Sequence, residues 1–333
     1  MSRARPWRGA RKGTATCAGD QTRISGSQMK YMLVNIIYAV SDGVEISEER
    51  FIKLLEACIF IATVTEVEEI FDFCMENYYE IELEMLSMVQ RDLLFSSDDR
   101  EYSRMRGQIN RKIMNFLSSA KSYLDQAPLR MVDIFGKTSK EFKSFKIETN
   151  RSYDQKIGYR VLEALRNHSQ HYGYPVGAIN FEAVWQTDRE QPRHVFTVDP
   201  IISIENLKKN KRFKKSVLDE LVSLKSPVYF KSLLREYIDG LGEIHETFRE
   251  QICEKLSSSI AKIETAIQMY VDRPGNKQRS GNEPIVVIKY KSDNEVAVER
   301  IINTEFLDFL RYLRFKNRNL TNVSTRFVSS EYS

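Results

Sequence analysis

Residues 153–174 read YDQKIGYRVLEALRNHSQHYGY, and this stretch organises the rest of the chain. Ile157, Val161, Ala164, Leu165 and His168 recur at helical spacing, and Gly173, Tyr174 and Pro175 stop the pattern. The spacing predicts a helix over Asp154–His171. Advancing ~100° per residue from Ile157 puts Val161 at ~40°, Leu165 at ~80° and His168 at ~20°, so His168 lies within the apolar stripe. Its expected role is packing, with a hydrogen bond to a neighbour. His171 at ~320° and Asn167 at ~280° share the edge of the stripe, while Arg166 at ~180° faces away from it, toward solvent or another subunit.

Upstream, Ser47 to about Phe95 has helical periodicity. Glu45, Glu48 and Glu49 give it a negative start, which suits the positive end of a helix dipole. Eight acids between Glu66 and Glu84 alternate with apolar residues. No histidine or Gly-rich loop accompanies them, so they read as a solvated helix face and not a metal site. Ser96-Ser97-Asp98-Asp99 is a turn and capping cluster. A second helix follows to about Gln126, where Pro128 is expected to break or restart it. Residues 136–152, polar and Lys-rich, read as a loop.

Downstream the period changes. Ile179, Phe181, Ala183 and Trp185 alternate with polar positions, a strand signature, and His194–Asp199 reads as its hairpin partner across a turn at Thr187–Pro192. Trp185 and Phe181, on one face of that strand, are expected in the core. Lys208-Lys209-Asn210-Lys211-Arg212-Phe213-Lys214-Lys215 is a basic run. Its cations are candidate phosphate contacts, with Phe213 stacking on a base, or else a solvated loop and the first turn of a helix over Ser216–Leu224. Pro227 to about Val271 is a long amphipathic pattern that Gly240 and Gly242 could bend, and its His245 lies on the apolar face as a core residue. After a polar turn at Arg273–Pro284, Ile285–Tyr290 and Glu295–Ile302 read as strands around Ser292-Asp293-Asn294, and Thr304–Phe315 as a last helix.

Composition narrows the function. Of 333 residues, 42% are hydrophobic and 29% charged, which fits a packed core with a soluble surface. Arg3, Arg5, Arg8, Arg11, Lys12 and Arg23 against Asp20 give residues 1–28 a formal +5, which leaves −1 for the remainder of a chain whose net charge is +4. Bulk basicity is therefore no argument for nucleic acid, and any such argument must come from a local patch. Residues 1–28 read as a disordered basic tail, with Met29 as a natural beginning. Cys17, Cys58, Cys74 and Cys253 form no CxxC pair, so a reducing cytoplasm, no disulfide framework and no zinc site are expected. No cofactor motif appears, no metal is implied, and no run of about 18 apolar residues exists to cross a membrane. P-loop, GxGxxG, HExxH and GxSxG patterns are absent, which removes support for NTPase, dinucleotide, zincin and α/β-hydrolase readings.

Arg166-Asn167-His168-Ser169-Gln170-His171 suits one chemistry. Cleaving RNA needs an acid or base near the 2′-hydroxyl and a cation on the phosphorane. His can take either proton role near neutral pH, and Arg offers a forked, permanent charge. One copy is sparse, but two copies facing across a two-fold axis would set two Arg and two His around one phosphate.

Arg-polar-x-x-x-His at the end of a helix resembles the ribonuclease signature of the HEPN superfamily, written R-x4–6-H with Asn, Asp or His after the Arg. The Arg maps to Arg166, the polar residue to Asn167 and the His to His171. The surrounding Leu-Arg-Asn-x-x-x-His-x-Gly-x-Pro-Val is similar to that of a group of uncharacterised bacterial proteins. The resemblance covers about residues 40–176. It implies a mainly α, antiparallel helical bundle that forms a homodimer along the motif helices, and a metal-independent endoribonuclease of the kind found in phage defence, toxin–antitoxin pairs and stress response, with RNA and an antitoxin as partners.

The expected layout is a tail over 1–28, a HEPN-like bundle over 29–176 and an α+β region over 177–333 with short hairpins and a long helix. The expected catalytic residues are Arg166, Asn167 and His171. Lys208, Lys209, Lys211, Arg212, Lys214 and Lys215 are the expected RNA contacts. The alternative is a non-catalytic helical interaction or ligand-sensing module in which the motif is fortuitous.

Overall fold

The computed structural model describes residues 29–35, 43–187, 192–224, 226–274, 285–292, 295–302 and 304–328. The basic stretch 1–28 with Cys17 lies outside them, as does most of the expected turns at Thr187–Pro192, Arg273–Pro284 and Ser292–Asn294.

Three long helices set the frame. α1 (Glu48–Leu94) starts where Ser47 Oγ accepts the Arg50 amide across 3.2 Å, and α2 (Asp99–Phe135) starts where Asp98 Oδ1 accepts the Glu101 amide across 2.9 Å. The join between them is four residues long, so they run antiparallel. Their ion pairs fix that register: Arg91 with Glu101, Lys112 with Glu80, and Arg130 with Glu66. The acidic face of α1 is thus partly an interhelical surface. α2 also runs straight through Pro128, contrary to the expected break. A proline costs a helix one backbone hydrogen bond, and here the buried side chains Tyr123, Ala127 and Met131 on either side hold the helix together.

The Lys-rich stretch expected as a loop is a helix, α3 (Lys140–Gln155). Ser139 Oγ caps it by accepting the Phe142 amide, and Phe145 buries its apolar edge. α4 (Ile157–His171) carries the motif. β3 (Ala178–Gln186) and β4 (Arg193–Ile201) form an antiparallel hairpin in which Trp185 pairs with His194. Two short helices follow, α5 (Ile204–Lys209) and α6 (Lys215–Ser223), and then α7 (Phe230–Val271), which packs along α1, α3 and α4. The start of α7 has no side-chain cap of its own; instead Asp199 Oδ1 from β4 accepts the Lys231 amide across 3.0 Å.

A four-stranded antiparallel sheet has the order β2-β1-β5-β6, from β1 (Lys30–Asn35), β2 (Val44–Glu45), β5 (Ile285–Ser292) and β6 (Glu295–Ile302). β1 and β2 were not expected from the pattern. Leu33, Val287 and Ile302 join the main core, while Val34, Val286, Ile288 and Tyr290 form a smaller cluster on the opposite face. α8 (Thr304–Lys316) and the segment after it are clasped onto the helices by buried acids. Asp72 accepts from Asn317 across 2.8 Å, and Asp239 accepts the amides of Val323 and Ser324.

The glycines of α7 serve close packing. A Cβ at Gly242 would stand 2.4 Å from the Leu320 carbonyl oxygen, and one at Gly240 would stand 3.0 Å from the Tyr159 ring. The main hydrophobic cluster runs from Tyr31 to Val323, so α7 belongs to the same core as α1–α4. Among the described residues, no helix is long and apolar enough to cross a membrane.

Candidate functional site

α4 is held against α7 at very short range. A Cβ at Gly158 would lie 2.3 Å from the Leu233 carbonyl oxygen, so only glycine allows the two backbones to meet there. The Gly158 amide is accepted by Glu236 Oε2 across 2.6 Å, which stands in for the missing side-chain cap. Val161, Leu162, Leu165 and His168 are buried. At the other end the amides of Tyr172 and Gly173 both reach the His168 carbonyl, at 2.9 and 3.2 Å, and stop the helix.

The outer face of α4 opens on a cleft of about 750 Å³. Asn167 and His171, one turn apart and both exposed, lie on one wall with Glu163 and Tyr172. The chain from the end of α5 to the start of α6 also lines it, with Lys209, Lys211, Arg212 and Lys214. Of the expected RNA contacts, Lys208 and Lys215 are exposed but flank the cleft without lining it. None of these six cations forms an ion pair with a carboxylate among the described residues. Lys214 is the most engaged: its ammonium bonds the Tyr153 hydroxyl and sits 4.8 Å from the centre of that ring. A row of unneutralised cations along a groove is the electrostatic footprint of a phosphate backbone.

Arg166 stands apart. His171 lies five positions further on, a rotation of roughly 140° around the helix. It is half-buried and does not line the cleft. Its Nη1 donates to Asn167 Oδ1 across 3.1 Å, and its Nε is enclosed with no hydrogen-bond partner. Within one copy of the chain, Asn167 and His171 therefore share a groove and Arg166 does not.

His168 is 2% exposed, as its place in the apolar stripe implied, and burial pushes its imidazole below the ordinary range. Asn210 Nδ2 lies 3.0 Å from its Nδ1. The Oδ1 of Asn210 accepts the Arg212 amide across 3.0 Å. A backbone amide can only donate, so the Asn210 oxygen must face Arg212 and its nitrogen must face His168. His168 Nδ1 is then the acceptor, and the neutral ring carries its proton on Nε2.

Phe213 packs edge-on to His168 with ring centres 6.1 Å apart and is 8% exposed. It anchors the loop from beneath and is not free to stack on a base. The aromatic exposed at this cleft is Tyr172.

Other lining residues were not singled out from the sequence. Arg160 is fully committed, forked onto Glu220 and donating to the carbonyls of Tyr153 and Asp154. Glu163 accepts the Tyr237 hydroxyl across 2.8 Å; burial raises its pKa, against the pull of that bond, Lys121 and Arg166. Its signal was present in the sequence, since it lies four residues before Asn167 on the same helix face. Asn210 carried no signal, because nothing local showed that it would meet His168.

Two further features depart from plain core packing. Trp185, expected inside, is 62% exposed and stacks flat on His194, with ring centres 4.7 Å apart, because the hairpin projects beyond the helices it rests on. Phe181, nearer the base of the hairpin, packs edge-on to Tyr102 of α2. His245 is buried as expected, but within a polar network. Its Nε2 lies 3.1 Å from Glu68, and the Tyr123 hydroxyl lies 3.1 Å from its Nδ1. Glu68 also accepts from Arg249 at 2.9 Å and Arg314 at 3.1 Å. Burial alone would raise the Glu68 carboxyl; His245 and Arg249 instead hold it down at about 2. The Tyr123 hydroxyl that ends this relay is fully enclosed, and the network joins α1, α2, α7 and α8; at its other end His245, Arg249 and Arg314 line a cleft of about 270 Å³.

Comparison of the chain with protein-family models, curated proteins and solved structures gave no match.

Proposed function

We propose that this chain is a metal-independent endoribonuclease of the HEPN type, acting as a cytoplasmic homodimer. The observation that carries this reading is the cleft, where Asn167 and His171 face a wall of unpaired cations. RNA would lie along that wall with its phosphates on Lys209, Lys211 and Arg212 and its flanks on Lys208, Lys214 and Lys215. His171 would accept the 2′-hydroxyl proton, and the resulting alkoxide would attack the adjacent phosphorus. The bond to the 5′-oxygen then breaks as protonated His171 returns its proton to the leaving oxygen, leaving a cyclic phosphate on one product and a hydroxyl on the other. Arg166 would neutralise the phosphorane. Because it faces away from the cleft of its own chain, that contact falls to the second copy, and Asn167 orients its guanidinium. Phage defence, toxin–antitoxin action with a cognate antitoxin, and stress response are the settings that fit such an activity.

The deciding experiment incubates the purified chain with total RNA, with and without EDTA. Cleavage should persist in EDTA and leave cyclic phosphate ends. His171→Ala and Arg166→Ala should each lower the rate at least about a hundredfold while the chain stays folded. Unchanged cleavage in the double variant would overturn the reading.

One observation favours a second reading, a non-catalytic module that binds RNA or another polyanion. Arg166 is outside the cleft and tied to Asn167, as an ordinary surface residue would be. Binding without cleavage by the wild-type chain would select it.

A further inference from the structure

The contact between His168 and Asn210 links two parts of the chain that the sequence keeps 42 residues apart. On one side is the motif helix. On the other is a loop whose side chains are nearly all cationic and exposed, and which has few attachments of its own. Mutual repulsion among Lys209, Lys211, Arg212 and Lys214 favours a spread, mobile loop. Three contacts oppose this: Phe213 is buried beneath the loop, Lys214 is on Tyr153, and the Asn210 amide is held at both ends. Only the last reaches the motif helix through a polar bond. The Asn210 carbonyl also accepts the Phe213 amide, so fixing this one residue fixes the turn that carries Lys211 and Arg212.

We infer that His168 is a positioning residue: its unprotonated Nδ1 holds Asn210, and Asn210 holds the basic loop so that Lys209, Lys211 and Arg212 stand across the cleft from Asn167 and His171. His168 lies at the floor of the cleft and is only 2% exposed, and its Nδ1 is taken up by Asn210, so it acts through the loop. The role rests on the reading of the cleft as an RNA site, and the contact beneath it is separately measurable.

The test uses the full chain and three variants. His168→Phe keeps an aromatic ring beside Phe213 and removes the acceptor. Asn210→Ala removes the donor from the loop side, where the core is not disturbed. His168→Asn places an amide oxygen the same number of bonds from Cα as Nδ1, and so keeps an acceptor. Two measurements are made: the rate of tryptic cleavage after Lys209, Lys211 and Arg212, identified by mass, and the salt dependence of binding to a fluorescein-labelled single-stranded RNA 12-mer. His168→Phe and Asn210→Ala should raise the cleavage rate at least tenfold and reduce the slope of log K against log salt by about 1, as one or two phosphate contacts are lost. His168→Asn should restore both toward wild type. Wild-type protection and slope in both His168→Phe and Asn210→Ala would overturn the inference, as would failure of His168→Asn to rescue a folded chain. If the wild-type chain binds no RNA, the positioning role falls with the RNA reading. A variant-dependent change in tryptic cleavage then marks that as a failure of the reading and not of the contact.

Discussion

His245 and Glu68, 177 residues apart in sequence, meet across 3.1 Å where the ring of His245 also stacks on Phe71 with centres 3.7 Å apart. The pair sits at the crossing of α1 and α7, and every polar atom on it has a partner: Tyr123 on the far ring nitrogen, and Arg249 and Arg314 on the carboxylate. Buried charge of this kind is tolerated because it is completely satisfied, and removing one member strands the others.

Glu68→Ala should therefore destabilise the chain by about 3–5 kcal/mol, because Arg249 and Arg314 would face each other without the carboxylate. Urea denaturation followed by circular dichroism measures this. A loss below about 1 kcal/mol would mean that solvent reaches the cluster and screens it.

Stability should fall as the solution is acidified below neutrality. The imidazoles of His168 and His245 are both lowered from 6.5 by burial, so the unfolded chain binds protons more readily than the folded one. Stability then rises with pH wherever the unfolded state is the more protonated, here as pH climbs toward 6.5, by up to about 1.4 kcal/mol per pH unit for each group. Glu68 adds a second window. Its carboxyl is depressed from 4.5 to about 2, so its contribution is fully present above 4.5 and drains away toward 2. Urea midpoints at pH 5, 6 and 7 should decrease toward acid, less steeply in His168→Phe than in wild type. A flat profile would show that neither ring is kept neutral by the fold.

Gly158→Ala should cost about 1–3 kcal/mol or more, because the new methyl would lie 2.3 Å from a backbone oxygen that cannot turn aside. Gly107→Ala, where a Cβ meets nothing within 4 Å, is the matched control in a helix and should be neutral or slightly stabilising. Equal effects at the two positions would mean that helix propensity and not the α4–α7 approach sets the outcome.

Lys211→Ala and Arg212→Ala should each weaken RNA binding about equally for all sequences and lower the salt slope by about 1. Lys140→Ala, on an exposed lysine remote from the cleft, should leave the slope unchanged. Fluorescence anisotropy across a salt series reads both values.

Much of this architecture is legible in the residues. The long helices announce themselves through apolar spacing and through Ser47 and Asp98 at their starts, and both hairpins through alternation. The buried place of His168 follows from arithmetic on one helix. What could not be read was decided by partners distant in sequence. β1 has apolar residues, but its six-residue pairing is with β5 some 250 residues later, which no local turn can announce. α3 was hidden because its inward stripe is thin: Phe145 is its one fully buried apolar side chain, Phe142 and Tyr153 are only partly covered, and Lys and polar residues fill the rest. Trp185 looked like core because periodicity gives the face of a strand but not whether anything covers that face. At the cleft, the motif and the basic run were each visible, whereas their juxtaposition depends on Asn210.

The four-stranded sheet has a consequence for how the chain is made. During synthesis β1 emerges before α1, yet apart from the two residues of β2 its partner is β5, which leaves the ribosome only after α7 is complete. Arg314, which completes the Glu68 cluster, and the segment that Asp72 and Asp239 clasp come later still. The helices can pair as they appear, but the sheet cannot close until β5 and β6 have followed α7. A nascent chain stalled before residue 285 would carry β1 with its β5-facing edge unpaired, the very form of the protein that a holdase chaperone would recognise.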